Sequence, residues 1–112
     1  MSDCLFCKMA RGEIQPDVVY QDEAVLAFRD INPQAPVHIL IIPKKHVATL
    51  NDLDDSVLAG KLLETAIKLA KQEGLAADGY RTVFNCNEQG GQEVFHLHMH
   101  LLGGRQMSWP PG

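Results

Sequence analysis

Three imidazoles stand at alternate positions in VFHLHMHLLGG (94–104): His96, His98 and His100, out of five histidines in the chain. Imidazole titrates near neutrality and can donate, accept, bind a metal or attack an electrophile, so such a cluster points first to chemistry. In an extended strand these side chains share one face, spaced about 6.5 Å apart, with the outer two about 13 Å apart. A single phosphate then meets two neighbouring imidazoles, and the third needs a separate task. The same spacing admits a catalytic metal held by an HxH pair, although HxHxH itself includes no carboxylate to complete the set. The preceding NEQGGQ (87–92) favours an anion. Gly90 and Gly91 let backbone amides approach closely, and Gln92 adds a side-chain donor, although a Gly-Gly pair by itself marks only a tight turn. Asn85, across that turn, can point toward the same face.

The elements that must position these groups follow from patterning. A short helix is expected over 3–11, with Asp3 as its cap and Gly12 as its left-handed terminator. DVVYQDEAVLAFRD (17–30) reads as two strands around a Gln21-Asp22-Glu23 turn. NPQAP (32–36) is a loop, because Pro33 and Pro36 remove amide donors. VHILIIP (37–43) is a nearly continuous apolar strand. Helical spacing of Val57, Leu58, Leu62, Ala66, Ile67, Leu69 and Ala70 predicts a long helix over 54–73, begun by Asp54 and Asp55 and stopped by Gly74. YRTVFNC (80–86) and EVFHLHMHLL (93–102) complete a final hairpin, with Leu97, Met99 and Leu101 facing the helices. The fold class is therefore α+β, a mostly antiparallel sheet with helices on one face.

Composition narrows the possibilities. The 112 residues suffice for one domain, 1–112, and 46% of them are hydrophobic. A net charge of −4 with scattered basic residues argues against binding nucleic acid. No apolar run reaches the roughly 20 residues of a membrane span, and the start shows no signal-peptide core, so a cytoplasmic location without membrane attachment is expected. An odd cysteine count, three, fits a reducing compartment. Cys4 and Cys7 form C-x-x-C, a pattern open to metal binding, redox chemistry or coincidence. A thioredoxin-like reading fails for want of a βαβ pattern.

GGQEVFHLHMHLLGG resembles the histidine-triad (HIT) motif, and RDINPQAPVHILIIPKKH (29–46) with GGRQMSWPPG resembles the Hint branch of nucleotide-binding phosphoramidases. The resemblance runs from about residue 4 to the C-terminus. It implies a five-stranded sheet with one short and one long helix, doubled in a homodimer into ten strands. It implies hydrolysis of the P–N bond of purine nucleoside 5′-phosphoramidates, and of related acyl- or aminoacyl-adenylates, through a nucleotidyl-histidine. In that scheme His98 is the nucleophile, His100 holds a phosphate oxygen, and His38 orients the nucleophile or shuttles a proton. Asp30 matches the ribose-binding carboxylate. Leu5, Phe6, Met9, Phe28 and Ile31 match positions around the base, and Asn85, Gly91 and Gln92 match phosphate-proximal ones. Glu93 stands where many relatives carry serine, and when ionised it cannot donate a hydrogen bond. Trp109 belongs to a tail that shapes leaving-group specificity at a partner's site. No cofactor is required for the chemistry. A structural zinc on Cys4, Cys7, His46 and His96 is implied by some relatives. Two alternatives stand beside this reading: a zinc-dependent hydrolase using the histidine row, and a nucleotide-binding scaffold dimer with little catalysis.

Overall fold

A computed structural model describes residues 4–112. The chain forms α1 (Leu5–Ala10), β1 (Val18–Gln21), β2 (Val25–Arg29), β3 (Val37–Pro43), a 3-10 turn (Leu50–Asp52), α2 (Ser56–Gln72), β4 (Tyr80–Phe84) and β5 (Met99–Gly103). The strands build one antiparallel sheet in the order β1-β2-β3-β5-β4.

Local chemistry explains the boundaries. The β1–β2 turn closes because Asp22 Oδ1 accepts the amides of Ala24 and Val25. α2 begins where Asp55 accepts the amides of Val57 and Leu58, and it stops at Gly74, whose φ of 75° is left-handed. The expected Asp3 cap of α1 lies outside the described residues. Cys4 is the N-cap instead, its thiol accepting the Cys7 amide at 3.3 Å.

β2 and β3 are buried on both faces. Val25, Ala27, Ile39 and Ile41 join Leu97, Met99 and Leu101 beneath the buried stripe of α2, Leu58, Leu62, Ala66, Leu69 and Ala70. Burying this cluster, at about 25 cal/mol per Å² of apolar area, is the main attachment of α2 to the sheet. The opposite face carries Leu26, Phe28, Leu40 and Ile42, and Phe6 of α1 packs on it. The helices therefore lie on different faces, not on one. A six-residue helix carries too weak a periodicity to reveal which face it covers.

The final hairpin also differs from expectation. β4 ends at Phe84 and β5 starts only at Met99, so His96 and His98 precede the ladder. Two tertiary bonds draw that approach away from β4: Leu97 N–H donates to Val47 O at 2.6 Å, and the His96 ring donates to Pro43 O at 2.7 Å. The alternation nevertheless persists in side-chain direction, since Leu97, Met99 and Leu101 all enter the α2 core as expected.

Candidate active site and metal cluster

β3 and β5 place His38 and His100 on one face. His100 lies opposite Leu40, and His38 opposite Leu102. The His38 ring reaches across so that its Nε2 lies 2.9 Å from His100 Nδ1. Gln34 N–H donates to His38 Nδ1 at 3.0 Å. That bond fixes the protons. Nδ1 is an acceptor, so neutral His38 carries its hydrogen on Nε2 and donates it to His100 Nδ1; neutral His100 then keeps Nε2–H free to donate. Burial pushes His100 down to about 4, helped by the neighbouring His98 and His38. Burial likewise lowers His38, against the pull of Asp30. Both rings are neutral at pH 7.

His98 is oriented by its own chain. Its Nδ1–H donates to the His96 carbonyl at 2.9 Å, which leaves Nε2 with an unshared lone pair. The ring packs edge-on against Phe6 at 5.3 Å and lies 5.0 Å from the His100 ring, closer than ideal strand spacing because residue 98 stands outside the ladder.

The other expected site residues divide. Phe6 and Phe28 meet edge to face at 5.5 Å, with Met9 packed on the same cluster, giving an aromatic wall beside His98. Leu5 is exposed and Ile31 wholly so. Asp30 accepts the Asn32 amide through Oδ1, and its Oδ2 lies 3.4 Å from His38 Nε2. Asn85 donates to Gly90 O at 2.7 Å, folding the 85–92 turn. Gly91 has φ of 78°, which favours glycine. At Gly90 a Cβ would fall 2.5 Å from Cys86 O. The side chain of Gln92 is committed: its amide donates to Ala48 O and Val94 O, and its oxygen accepts the Asn87 amide. Gln92 thus pins the turn to the neighbouring loop. Glu93 follows it, exposed. The Gln34 amide escaped the sequence reading because any residue but proline offers one; the flanking Pro33 and Pro36 were its only hint.

His96, wholly buried, faces elsewhere. Its Nε2–H is given to Pro43 O, so Nδ1 turns a lone pair toward Cys4 Sγ at 3.4 Å and Cys7 Sγ at 3.5 Å. His46 Nδ1 lies 3.2 Å from Cys7 Sγ. All four donor atoms fall within 4.8 Å of one another. A tetrahedral zinc with ordinary Zn–S and Zn–N bonds has S···N edges of about 3.5 Å, so the donors fit that ion. The carbonyl behind His96 is the outer partner such ligands usually need.

A five-stranded antiparallel sheet carrying face-sharing imidazoles defines the histidine-triad class. A model of the HIT domain matches residues 11–107, and the chain belongs to that family. It is 53% identical over 107 residues to a protein of Escherichia coli K12 named purine nucleoside phosphoramidase, covering 94% of this chain and 90% of that one. It is 55% identical over 116 residues to a 14 kDa zinc-binding protein of Zea mays, covering 99% and 89%. Among solved structures, a HIT family hydrolase from Legionella pneumophila superimposes with a TM-score of 0.96 at 63% identity, covering 98% of this chain and all of that one.

Proposed function

We propose that the protein is a nucleoside 5′-phosphoramidate hydrolase, purine-preferring, in which His98 is the nucleophile. The observation that carries this reading is the His98 Nδ1–H bond to the His96 carbonyl, which leaves Nε2 free to attack. Nε2 forms a bond to the α-phosphorus while the P–N bond breaks, and the amine leaves with a proton taken from solvent, the two neutral imidazoles beside it keeping theirs. Water then attacks the nucleotidyl-histidine and releases the nucleoside monophosphate, two easier displacements replacing one. His100 donates Nε2–H to a phosphate oxygen as charge grows there. His38 acts through His100, which it touches, keeping it in the donating tautomer. Asp30 takes the ribose hydroxyls, Phe6, Phe28, Met9, Leu5 and Ile31 surround the base, and Asn85, Gly91, Gln92 and Glu93 shape the phosphate turn. Acyl- and aminoacyl-adenylates present the same phosphorus.

Metal-centred hydrolysis is the weaker alternative on donor chemistry. Asp30, His38 and His100 cluster closely enough to suggest an ion. Yet ligation through His38 Nε2 moves its proton to Nδ1, where the Gln34 N–H already points, and two donors would face each other. The Cys4, Cys7, His46 and His96 set has no such conflict and is assigned a structural zinc, which when bound fastens α1 to the sheet. No helix among the described residues is long and apolar enough to cross a membrane. A cytoplasmic location suits an odd count of three cysteines.

Adenosine 5′-phosphoramidate should be turned over by the wild type and at least about a thousandfold more slowly by His98→Ala. Rapid quenching with mass spectrometry should find one nucleotidyl group on the peptide holding His98. Equal rates for the two proteins would end the nucleophile assignment.

A further inference from the structure

The loop between β2 and β3 sets the His38 tautomer, so whatever holds that loop acts on the site. NPQAP (32–36) lies beyond the ladder, and Pro33 and Pro36 offer no amides with which to bond it. Its internal bonds run toward the site. The Asn32 amide donates to Asp30 Oδ1 at 2.8 Å, and the Gln34 side chain donates to Asn32 O at 3.1 Å. Gln34 N–H then donates to His38 Nδ1, and His38 Nε2–H to His100 Nδ1. Asn32, Gln34 and Pro36 are all exposed, so packing contributes little to where that amide points.

Support comes from the chain leaving β5. β5 runs antiparallel to β3 with Gly103 opposite Val37, so the residues after Gly103 pass back over those before Val37. Gly104 turns there with φ of 92°. A Cβ on it would lie 2.9 Å from Pro36 Cβ, so the close approach requires glycine. One residue on, Arg105 Nε donates to Gln34 O at 3.0 Å. The same guanidinium is tied to its own segment, Nη1 donating to Gln106 O at 3.2 Å. A charged, planar donor is directional and stronger than a neutral one. Beyond it the tail is held elsewhere, by Arg81 on Ser108 O at 2.9 Å, and Trp109 is 81% exposed.

We infer that Arg105 is a positioning residue for the phosphate-holding imidazole: it fixes the Gln34 segment, so that the Gln34 amide keeps His38 donating through Nε2 and His100 donating through its own. This rests on the phosphoramidase reading above. Arg105 touches neither phosphorus nor nucleoside in this scheme and acts only through Gln34 and His38. Once the amide leaves Nδ1, the two neutral tautomers of His38 exchange. In the other tautomer His38 Nε2 accepts, His100 Nδ1 takes the hydrogen, and His100 Nε2 meets the phosphate oxygen with a lone pair. The loss falls where charge grows, in the transition state.

The amide and the ring are read first, without substrate. Hydrogen exchange at the Gln34 amide should quicken in Arg105→Ala. The nitrogen-NMR signals of the two His38 ring nitrogens, distinct in wild type, should draw together. With adenosine 5′-phosphoramidate, Arg105→Ala should lose about three- to tenfold in kcat with KM little changed, the size of one hydrogen bond. Arg105→Lys, which keeps a charged donor without the planar fork, should recover part of that loss. Gly104→Ala, which lifts the segment off Pro36, should show the same pattern as Arg105→Ala. In a His38→Ala background Arg105→Ala should cost nothing further. An unchanged kcat in Arg105→Ala, unmoved His38 signals, or a full further loss in the His38→Ala background overturns the inference while the phosphoramidase reading stands. A wild type inert on the phosphoramidate overturns the two together.

Discussion

At the scale of single residues, protonation is set by where backbone groups fall. Three of them, the Gln34 amide, the His96 carbonyl and the Pro43 carbonyl, decide which nitrogen of His38, His98 and His96 carries hydrogen. That arrangement has a measurable cost at low pH. His100 titrates at about 4 in the folded chain against about 6.5 unfolded. Between those values the unfolded state binds the proton and the folded state does not, so stability falls as pH drops through that window and is fully present above it. The contribution is on the order of 3 kcal/mol, with His38 acting in the same direction. Urea midpoints should therefore decline from pH 7 to pH 4.5, and His100→Gln should flatten the decline; a slope identical to wild type would remove His100 as its source. The imidazoles themselves were legible from their spacing. Their tautomers were not, because every residue has a carbonyl and nearly every one an amide, and only tertiary register selects among them.

At the scale of elements, α1 is the part whose attachment depends least on the sheet. Six residues are too few for a self-supporting helix, and its one fully buried side chain is Phe6. The thiol and imidazole cluster supplies the rest of its anchorage, and Phe6 in turn walls His98. On the zinc assignment proposed above, chelation should then loosen α1 while β1–β5 persist. Hydrogen exchange should show lost protection over 5–11 after chelation, with strand protection unchanged. Cys4→Ser should bind zinc substoichiometrically and lose about 5–10 °C in Tm. Full protection of α1 in metal-free protein would dispose of the tether. The sequence offered C-x-x-C here but could not choose between metal and redox roles, since the partners His46 and His96 come from segments far along the chain. It also overextended the last strand. Alternation signals side-chain direction, which survived, and is blind to the bonds from Leu97 to Val47 and from His96 to Pro43 that drew 93–98 off the ladder.

At the scale of the whole molecule, a single protomer leaves apolar surface uncovered. α2 has a second stripe, Val57, Leu63 and Ile67, which are 70%, 50% and 39% exposed. These residues project on the side of the helix away from its buried stripe. Among the described residues β4 pairs only with β5, so its outer hydrogen-bonding edge is open there, and Tyr80 is exposed on it. Open edges and large apolar patches on soluble chains are normally covered. A second copy adding its own β4 along that edge would produce the ten-stranded sheet expected from the family resemblance. Helical periodicity made the α2 core stripe readable. The outer stripe was hidden in the same run of apolar residues, because periodicity does not say which face meets its own sheet and which meets another chain. Leu63→Asp should therefore raise the dimer dissociation constant roughly hundredfold or more, two buried apolar contacts being replaced by two like charges. Sedimentation equilibrium at micromolar concentration should show a dimer for wild type and a monomer for the variant. Circular dichroism should be unchanged, since residue 63 takes no part in the core beneath α2. A wild type that sediments as a monomer across that range would show that the stripe and the open edge serve something other than self-association.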